Sequence, residues 1–365
     1  MFTSDDTTHS PATVATGDSK PKLHKPKDGK GDQSQPPPSV SSNLANVYLL
    51  KSAKVTIVSA ATGQTILESN DEFSSQLTDL DRQLRLNTST TVPAERYLKF
   101  AAGQVREWND REKVELALLT KEIDAAVADL PLRLPDRIYV VRSTLQEEFG
   151  ANYTRGQTLV LGSEFFDDSK HDHAERRLIL AHEIFHLASR YDSSLRKRSH
   201  EAVGCVYKTG QLILDDKIRG SLVTNPDAYE YACALRVTVT GNNADLSDNQ
   251  LWVMPAPVLD RSQAAQLKYS DLKIKLIVVD AENGHWQVQY DASGQPKLID
   301  AAATNFVQLL AINSDYVMHA EEIIADNFAL LLEQIAKNTP SKTKKVKINR
   351  PEFLNQLKII LLKSS

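Results

Sequence analysis

His182-Glu183-Ile184-Phe185-His186 sets two imidazoles and a carboxylate at fixed spacing inside an apolar run, Leu178 to Ala188. No Pro or Gly interrupts that run, and Glu183 is its only formal charge. The pattern predicts a helix, and on a helix residues four apart share a face. His182 and His186 then project side by side and can bind one zinc ion. Glu183, next to the first ligand, is placed to act as general base on a zinc-bound water. The competing reading is a buried helix whose histidines are satisfied by hydrogen bonds. It leaves a buried Glu beside two buried His in need of partners or a metal to offset desolvation.

A hydrolytic zinc site needs a third protein ligand and an open position for water. Downstream, His319-Ala320-Glu321-Glu322-Ile323-Ile324-Ala325-Asp326 offers carboxylates at Glu322 and Asp326, four apart and so on one helical face. One can ligate while the other accepts a hydrogen bond from the second nitrogen of a ligating imidazole and fixes its tautomer. Glu322 is the expected ligand and Asp326 its support; Ala325 and Ala329 are small enough for close packing against the first helix. Glu201 is the main competitor, in the polar stretch Arg196-Lys197-Arg198-Ser199-His200-Glu201, where a solvated face is the simpler reading. Glu321 is a lesser alternative because no carboxylate follows it at four positions.

The two segments together resemble the gluzincins, the thermolysin-like zinc peptidases, in which an E-x-x-x-D segment on a second helix supplies the Glu ligand and its supporting Asp. The resemblance covers two short segments, and the separation from His186 to Glu322 is longer than the best-known gluzincins show. The chain is also similar to a sparsely described group of bacterial metallopeptidase-like sequences carrying HE-x-F-H, Asn-Pro-Asp and EE-x-x-ADNF, with Asn225-Pro226-Asp227 matching the middle element. The resemblance implies an α+β, zincin-like metallopeptidase fold with one Zn2+ per chain and a peptide or protein as substrate. A catalytically silent zinc-containing binding or regulatory protein of the same fold is the alternative; the intact Glu183 argues against it. A metal-free interaction module is a third reading.

Peptide hydrolysis also needs a donor for the developing oxyanion besides the metal. Tyr316 and His319 lie just before Glu322 and are the candidates, against a core role for Tyr316 and a helix cap for His319. Tyr229, Tyr231 and Tyr269 are weaker ones.

Elements must position these groups. Residues 1–43 are rich in Ser, Thr, Lys, Asp and Pro with almost no large apolar side chains, which predicts a disordered tail. A metallopeptidase domain is expected over 44–338, then a Lys-rich linker and a short helix, Pro351 to Leu362, within 339–365. Strands are expected at Val55–Val58, Arg137–Arg142 and Gly156–Gly162, and helices over Asp71–Leu86, Ala94–Trp108 and Glu112–Leu130. The segment Ala151 to Leu161 is either an edge strand that pairs with extended substrate or an ordinary strand. A β-rich insertion, about 231–300, fills the gap between the two metal helices, with Glu282-Asn283-Gly284 as a hairpin turn; helix is expected again from Ala301 to Lys337.

Composition excludes several classes. The net charge of −4 gives no basic field for nucleic acid. No apolar stretch is long enough to span a bilayer, and no secretory leader is visible, so a cytoplasmic location is the default with leaderless export left open. Cys205 and Cys233 are then expected as buried thiols, with a disulfide only if the chain leaves the cytoplasm.

Overall fold

Short apolar runs rich in β-branched residues fold here as strands of two sheets, and amphipathic runs cover them. In the computed structural model the described residues are 46–240, 250–259, 268–314, 316–336 and 348–363. The expected N-terminal tail and the Lys-rich connector lie outside the described residues.

The first sheet is mixed. Strands β1 (Val47–Leu50) and β2 (Ala53–Ile57) form a hairpin. Strand β3 (Arg137–Ser143) runs parallel to β2. Strand β4 (Tyr153–Arg155) closes the edge by pairing antiparallel with β5 (Thr158–Gly162), which itself runs parallel to β3. The order is β1-β2-β3-β5-β4. Between β2 and β3 come helices α1 (Ala60–Glu68), α2 (Glu72–Gln76), α3 (Asp79–Arg85), α4 (Ala94–Gly103) and α5 (Asp110–Ala126).

Two expectations are corrected here. The single helix expected over Asp71–Leu86 is split, because Thr78 and Asp81 form a capping box that starts α3 afresh. Helix α4 stops at Gly103 rather than Trp108, since Val105 leaves to bridge Ser143 of β3.

Helix α6 (His173–Tyr191) opens on the capping box of Asp172 and Glu175. It ends at Asp192, whose side chain caps α7 (Ser193–Ala202). The second sheet is antiparallel: β6 (Val206–Tyr207), β7 (Cys233–Thr238), β8 (Gln250–Val258), β9 (Lys273–Glu282), β10 (His285–Val288) and β11 (Leu298–Asp300), with order β10-β9-β8-β7-β6 and β11 also on β9. Five of these six strands fall in the stretch expected to be β-rich. The β9–β10 turn has Asn283 at φ 49° and Gly284 at φ 80°, the paired left-handed geometry a tight hairpin requires. A short helix, α8 (Asp216–Arg219), precedes the sheet's second strand.

The expected helix Ala301–Lys337 is likewise broken, into α9 (Phe306–Leu310) and α10 (Ala320–Ile335); the loop between them passes through Asn313, left-handed at φ 56°. Helix α11 (Pro351–Leu362) takes Pro351 in its first turn. None of the described helices is long and apolar enough to cross a membrane.

One core joins α6 to α10. Leu180, Ala181, Ile184, Phe185 and Ala188 pack against Ile323, Ile324, Ala325 and Phe328. The Phe185 and Phe328 rings lie 5.4 Å apart, and Ala181 and Ala325 are buried where the helices meet. Charged groups tie the same helix to its neighbours. His173 Nδ1 and Nε2 meet Glu115 and Glu122 of α5 at 2.8 and 2.9 Å, and Arg177 spans from Glu122 to Glu333 of α10 at 2.8 and 2.6 Å.

Phe328→Ala removes a fully buried ring from this seam. It should cost about 3–5 kcal/mol in urea unfolding, the usual effect of emptying an aromatic core site; a loss below about 1 kcal/mol would show that the seam is not a fixed contact.

His173 adds a pH term. Burial pushes its pKa down, but hydrogen bonds with Glu122 and Glu115 outweigh it, so the pKa is raised. Its contribution is therefore complete below the unfolded value, about 6.5, and is lost as pH rises through the folded one. The melting-temperature difference between wild type and His173→Gln should shrink as pH rises above about 6.5; a constant difference would contradict it.

Candidate metal centre

The two helices at this seam carry the groups picked out by their spacing. His182 and His186, one turn apart on α6, face each other with Nε2 atoms 3.0 Å apart. Glu322, in the first turn of α10, brings Oε2 to 3.2 Å from His182 Nε2 and 3.6 Å from His186 Nε2. Ligands at about 2.0–2.1 Å around a tetrahedral zinc lie roughly 3.3 Å from each other. The triangle of donor atoms therefore has the dimensions such an ion needs.

The other ends of these groups are all held. His182 Nδ1 lies 2.8 Å from Asp326 Oδ1, and Ser314 Oγ donates to Asp326 Oδ2. His186 Nδ1 lies 3.2 Å from Glu321 Oε1. Asn225 Nδ2 donates to Glu322 Oε1 at 2.6 Å. Each imidazole thus has a carboxylate behind it, the arrangement that points the remaining lone pair at a metal.

Glu183 faces the same space from one residue along. It is 4 % exposed, and its Oε2 finds no hydrogen-bond partner among the described residues. Burial and the nearby charge of Asp227 raise its carboxyl to about 8. Asp227 also forms a compact group with Glu183 and His186.

The electrostatics are those of a site short of positive charge. Burial pushes both imidazole pKa values down, yet the carboxylates win. Asp326 and Glu322 raise His182 to about 10, and Asp227, Glu322 and Glu321 raise His186 well above its usual range. Burial raises the Glu322 carboxyl, but His186 and His182 hold it below the carboxylate range. A divalent cation would take the place of the protons these anions attract.

The centre lies at the floor of a cleft of about 190 Å³ walled by Asn152, Tyr153, Val223, Tyr269 and Met318. A wider recess of about 700 Å³, lined by Leu178, Ile179, Ala329 and Leu330, meets it at His182, Glu183 and Tyr316.

Other expected residues separate. Tyr316 is at the mouth, facing both recesses, with its phenol hydrogen-bonded to Tyr269 and its pKa raised by burial and the charge of Glu322. His319 caps α10, its Nδ1 accepting from the Glu321 N–H at 3.1 Å, and its ring faces His200 instead of the cleft. Burial and the neighbouring His200 lower its pKa to about 4. Glu201 is exposed on α7 and pairs with Lys197 at 3.9 Å, away from the centre. The edge at β4 is open only in part: the Thr154 N–H donates to Asp227 at 3.0 Å, which leaves Ala151 and Asn152 along the cleft wall.

The cysteines depart from the expectation of free thiols. Cys205 and Cys233 form a disulfide beside His200, so this His/Cys group is not an open set of metal ligands.

In sequence, Glu321 stands only as a lesser ligand candidate, Asn225 and Asp227 are marked only by the Asn-Pro-Asp resemblance, and His200 carries no signal for the centre.

No family model matches this chain, and no curated protein or solved structure matches it.

Purified protein should take up one zinc per chain, the stoichiometry of a mononuclear site. His186→Ala and Glu322→Ala should each abolish uptake measured by metal analysis after dialysis, and Glu201→Ala should leave it intact. Full occupancy in Glu322→Ala would remove this carboxylate from the ligand set.

Proposed function

We propose that this protein is a zinc-dependent peptidase of gluzincin type, with His182, His186 and Glu322 as ligands and Glu183 as general base. The observation that carries the reading is the convergence of His182 Nε2, His186 Nε2 and Glu322 Oε2 beside the buried Oε2 of Glu183, which has no hydrogen-bond partner among the described residues, in a cleft. Two imidazoles and one carboxylate are a donor set suited to zinc. Zinc held by such a set supplies a Lewis acid that acidifies water and polarises a carbonyl.

The chain's own residues do the rest. Glu183 takes a proton from the attacking water and passes it to the leaving amine. Asp326 and Glu321 hold the two imidazoles, and Asn225 holds the free oxygen of Glu322. Tyr316, at the mouth next to Glu322, donates to the developing oxyanion. Ala151 and Asn152, just before β4, line the cleft where an extended peptide would lie, and Leu178, Ile179, Ala329 and Leu330 offer an apolar wall to its side chains. The zincin-like order of sheet, HExxH helix and second metal helix, with the β-rich stretch 231–300 between the helices, agrees with this reading.

Glu183→Gln keeps size and reach and removes the base. The variant should fold and hold zinc as wild type does, while cleavage of a diverse peptide library falls by roughly 10²–10⁴-fold or more. A chelator should silence the wild type and added zinc should restore it. Equal cleavage by both proteins would trace the activity to a contaminant. A zinc-loaded wild type that cleaves no peptide would turn the reading towards a zinc-containing binding protein.

A further inference from the structure

Glu321 stands outside the metal triangle, yet it is 2 % exposed and all of its accepting capacity is directed inward. Its Oε1 lies 3.2 Å from His186 Nδ1. Its Oε2 accepts from Ser189 Oγ at 2.8 Å and lies 2.7 Å from His200 Nε2. His200 Nδ1 in turn lies 2.6 Å from the Tyr207 hydroxyl.

The donor inventory allows one consistent set of proton positions with neutral imidazoles. An ionised carboxylate only accepts, so His186 must present Nδ1–H and His200 must present Nε2–H. His200 Nδ1 then holds a lone pair, and the Tyr207 O–H donates to it. At the inner end, His186 Nε2 is left with its lone pair directed at the position shared by His182 and Glu322. Neighbouring carboxylates on α10 thus face the two nitrogens of one ring, Glu321 at Nδ1 and Glu322 at Nε2.

The outer end is anchored as firmly. Tyr207 lies on β6 in register with Cys233 of β7, and the Cys205–Cys233 disulfide closes the same pair of strands. This holds the Tyr207 hydroxyl over His200.

We infer that Glu321, clamped by His200 and Tyr207, is a positioning residue that sets the ring orientation and tautomer of His186 for metal binding. The inference rests on the metal reading given above. No composition or spacing rule marks Glu321 for this task.

The test uses the full chain and two probes, Zn2+ in competition with a chromophoric chelator and Co2+ followed by its visible absorption. In Glu321→Gln one acceptor oxygen becomes an NH2 donor, which either opposes the His186 Nδ1–H or forces His200 into its other tautomer with the Tyr207 hydroxyl as acceptor. The variant should bind zinc roughly 10- to 100-fold more weakly, the usual effect of losing a ligand's hydrogen-bonded support. Its cobalt spectrum should shift, while the metal-free protein unfolds with wild-type cooperativity. Tyr207→Phe removes only the outermost donor and should weaken zinc in the same direction by a smaller factor. Wild-type zinc affinity together with a wild-type cobalt spectrum in Glu321→Gln would overturn the inference and leave the metal reading standing. If Glu321→Gln does not fold, Tyr207→Phe decides, and unchanged zinc affinity there overturns it. A wild type that binds neither metal would bring down the metal reading and this inference together.

Discussion

Burying carboxylates against too little positive charge is the constraint on which this molecule turns. Glu183, Glu321, Glu322 and Asp227 are all buried, with Asp326 half-buried beside them, where α6 crosses α10. An ionised carboxylate taken out of water is costly unless it is paired and hydrogen-bonded. Small side chains at Ala181, Ala188 and Ala325 let the two helices approach closely, and that approach presses the acids onto His182 and His186. Without a cation the imidazoles answer by holding protons, which is why both are raised despite their burial. Helix packing and the burial of these acids are therefore one problem, and the apolar seam supplies the free energy that forces the polar groups together.

Distant parts of the fold serve that crossing. Asn225, which holds Glu322, follows Thr224, whose N–H donates to Asp81 at 2.7 Å and whose carbonyl accepts from Arg85 at 2.8 Å. Arg85 is itself fully buried between Asp81 and Glu148. From the other side, Val223 N–H donates to the Pro257 carbonyl of β8 at 2.9 Å. The strand of chain leading into Asn225-Pro226-Asp227 is thus gripped by the helical layer and by the second sheet at once. Asp227 then reaches back to Thr154 of β4 and lies 3.5 Å from Arg190 of α6. This single turn binds the sheet edge, α6 and α10 to each other.

Legibility in the sequence followed the range of the interactions. His182, Glu183 and His186 could be read because their relation is set by one helical turn. Glu322 and Asp326 could be read for the same reason, although their meeting with α6 had to be supposed. Glu321 could be offered only as a lesser ligand, because the partners that fix its place, Ser189 and His200, lie more than a hundred positions away. His319 misled because closeness in sequence to Glu322 says nothing of direction; at the N-cap its ring turns towards His200. Helix lengths were overestimated at α4 and before α10, where apolar periodicity continued through residues that a bridge at Val105 and a left-handed Asn313 take out of the helix. The β-rich stretch was legible in kind, since alternation and the Asn283-Gly284 turn are local, but its pairing order was not.

The shell around the centre is drawn from α6, α7, the turn at Asn225 and α10, so no single segment of the unfolded chain can reproduce it. An unfolded HExxH segment retains two imidazoles, but it lacks Glu322 and both carboxylates that orient the rings. Binding is then strongly selective for the native state, and a ligand that binds only that state stabilises it by about 4 kcal/mol at a thousand times its dissociation constant. That gain is comparable to the loss expected from emptying a core aromatic site. A bound metal would in this way offset the cost of gathering the acids and relieve the charge excess that the fold creates. Glu201, solvated on α7 and paired with Lys197, imposes no such cost on the fold.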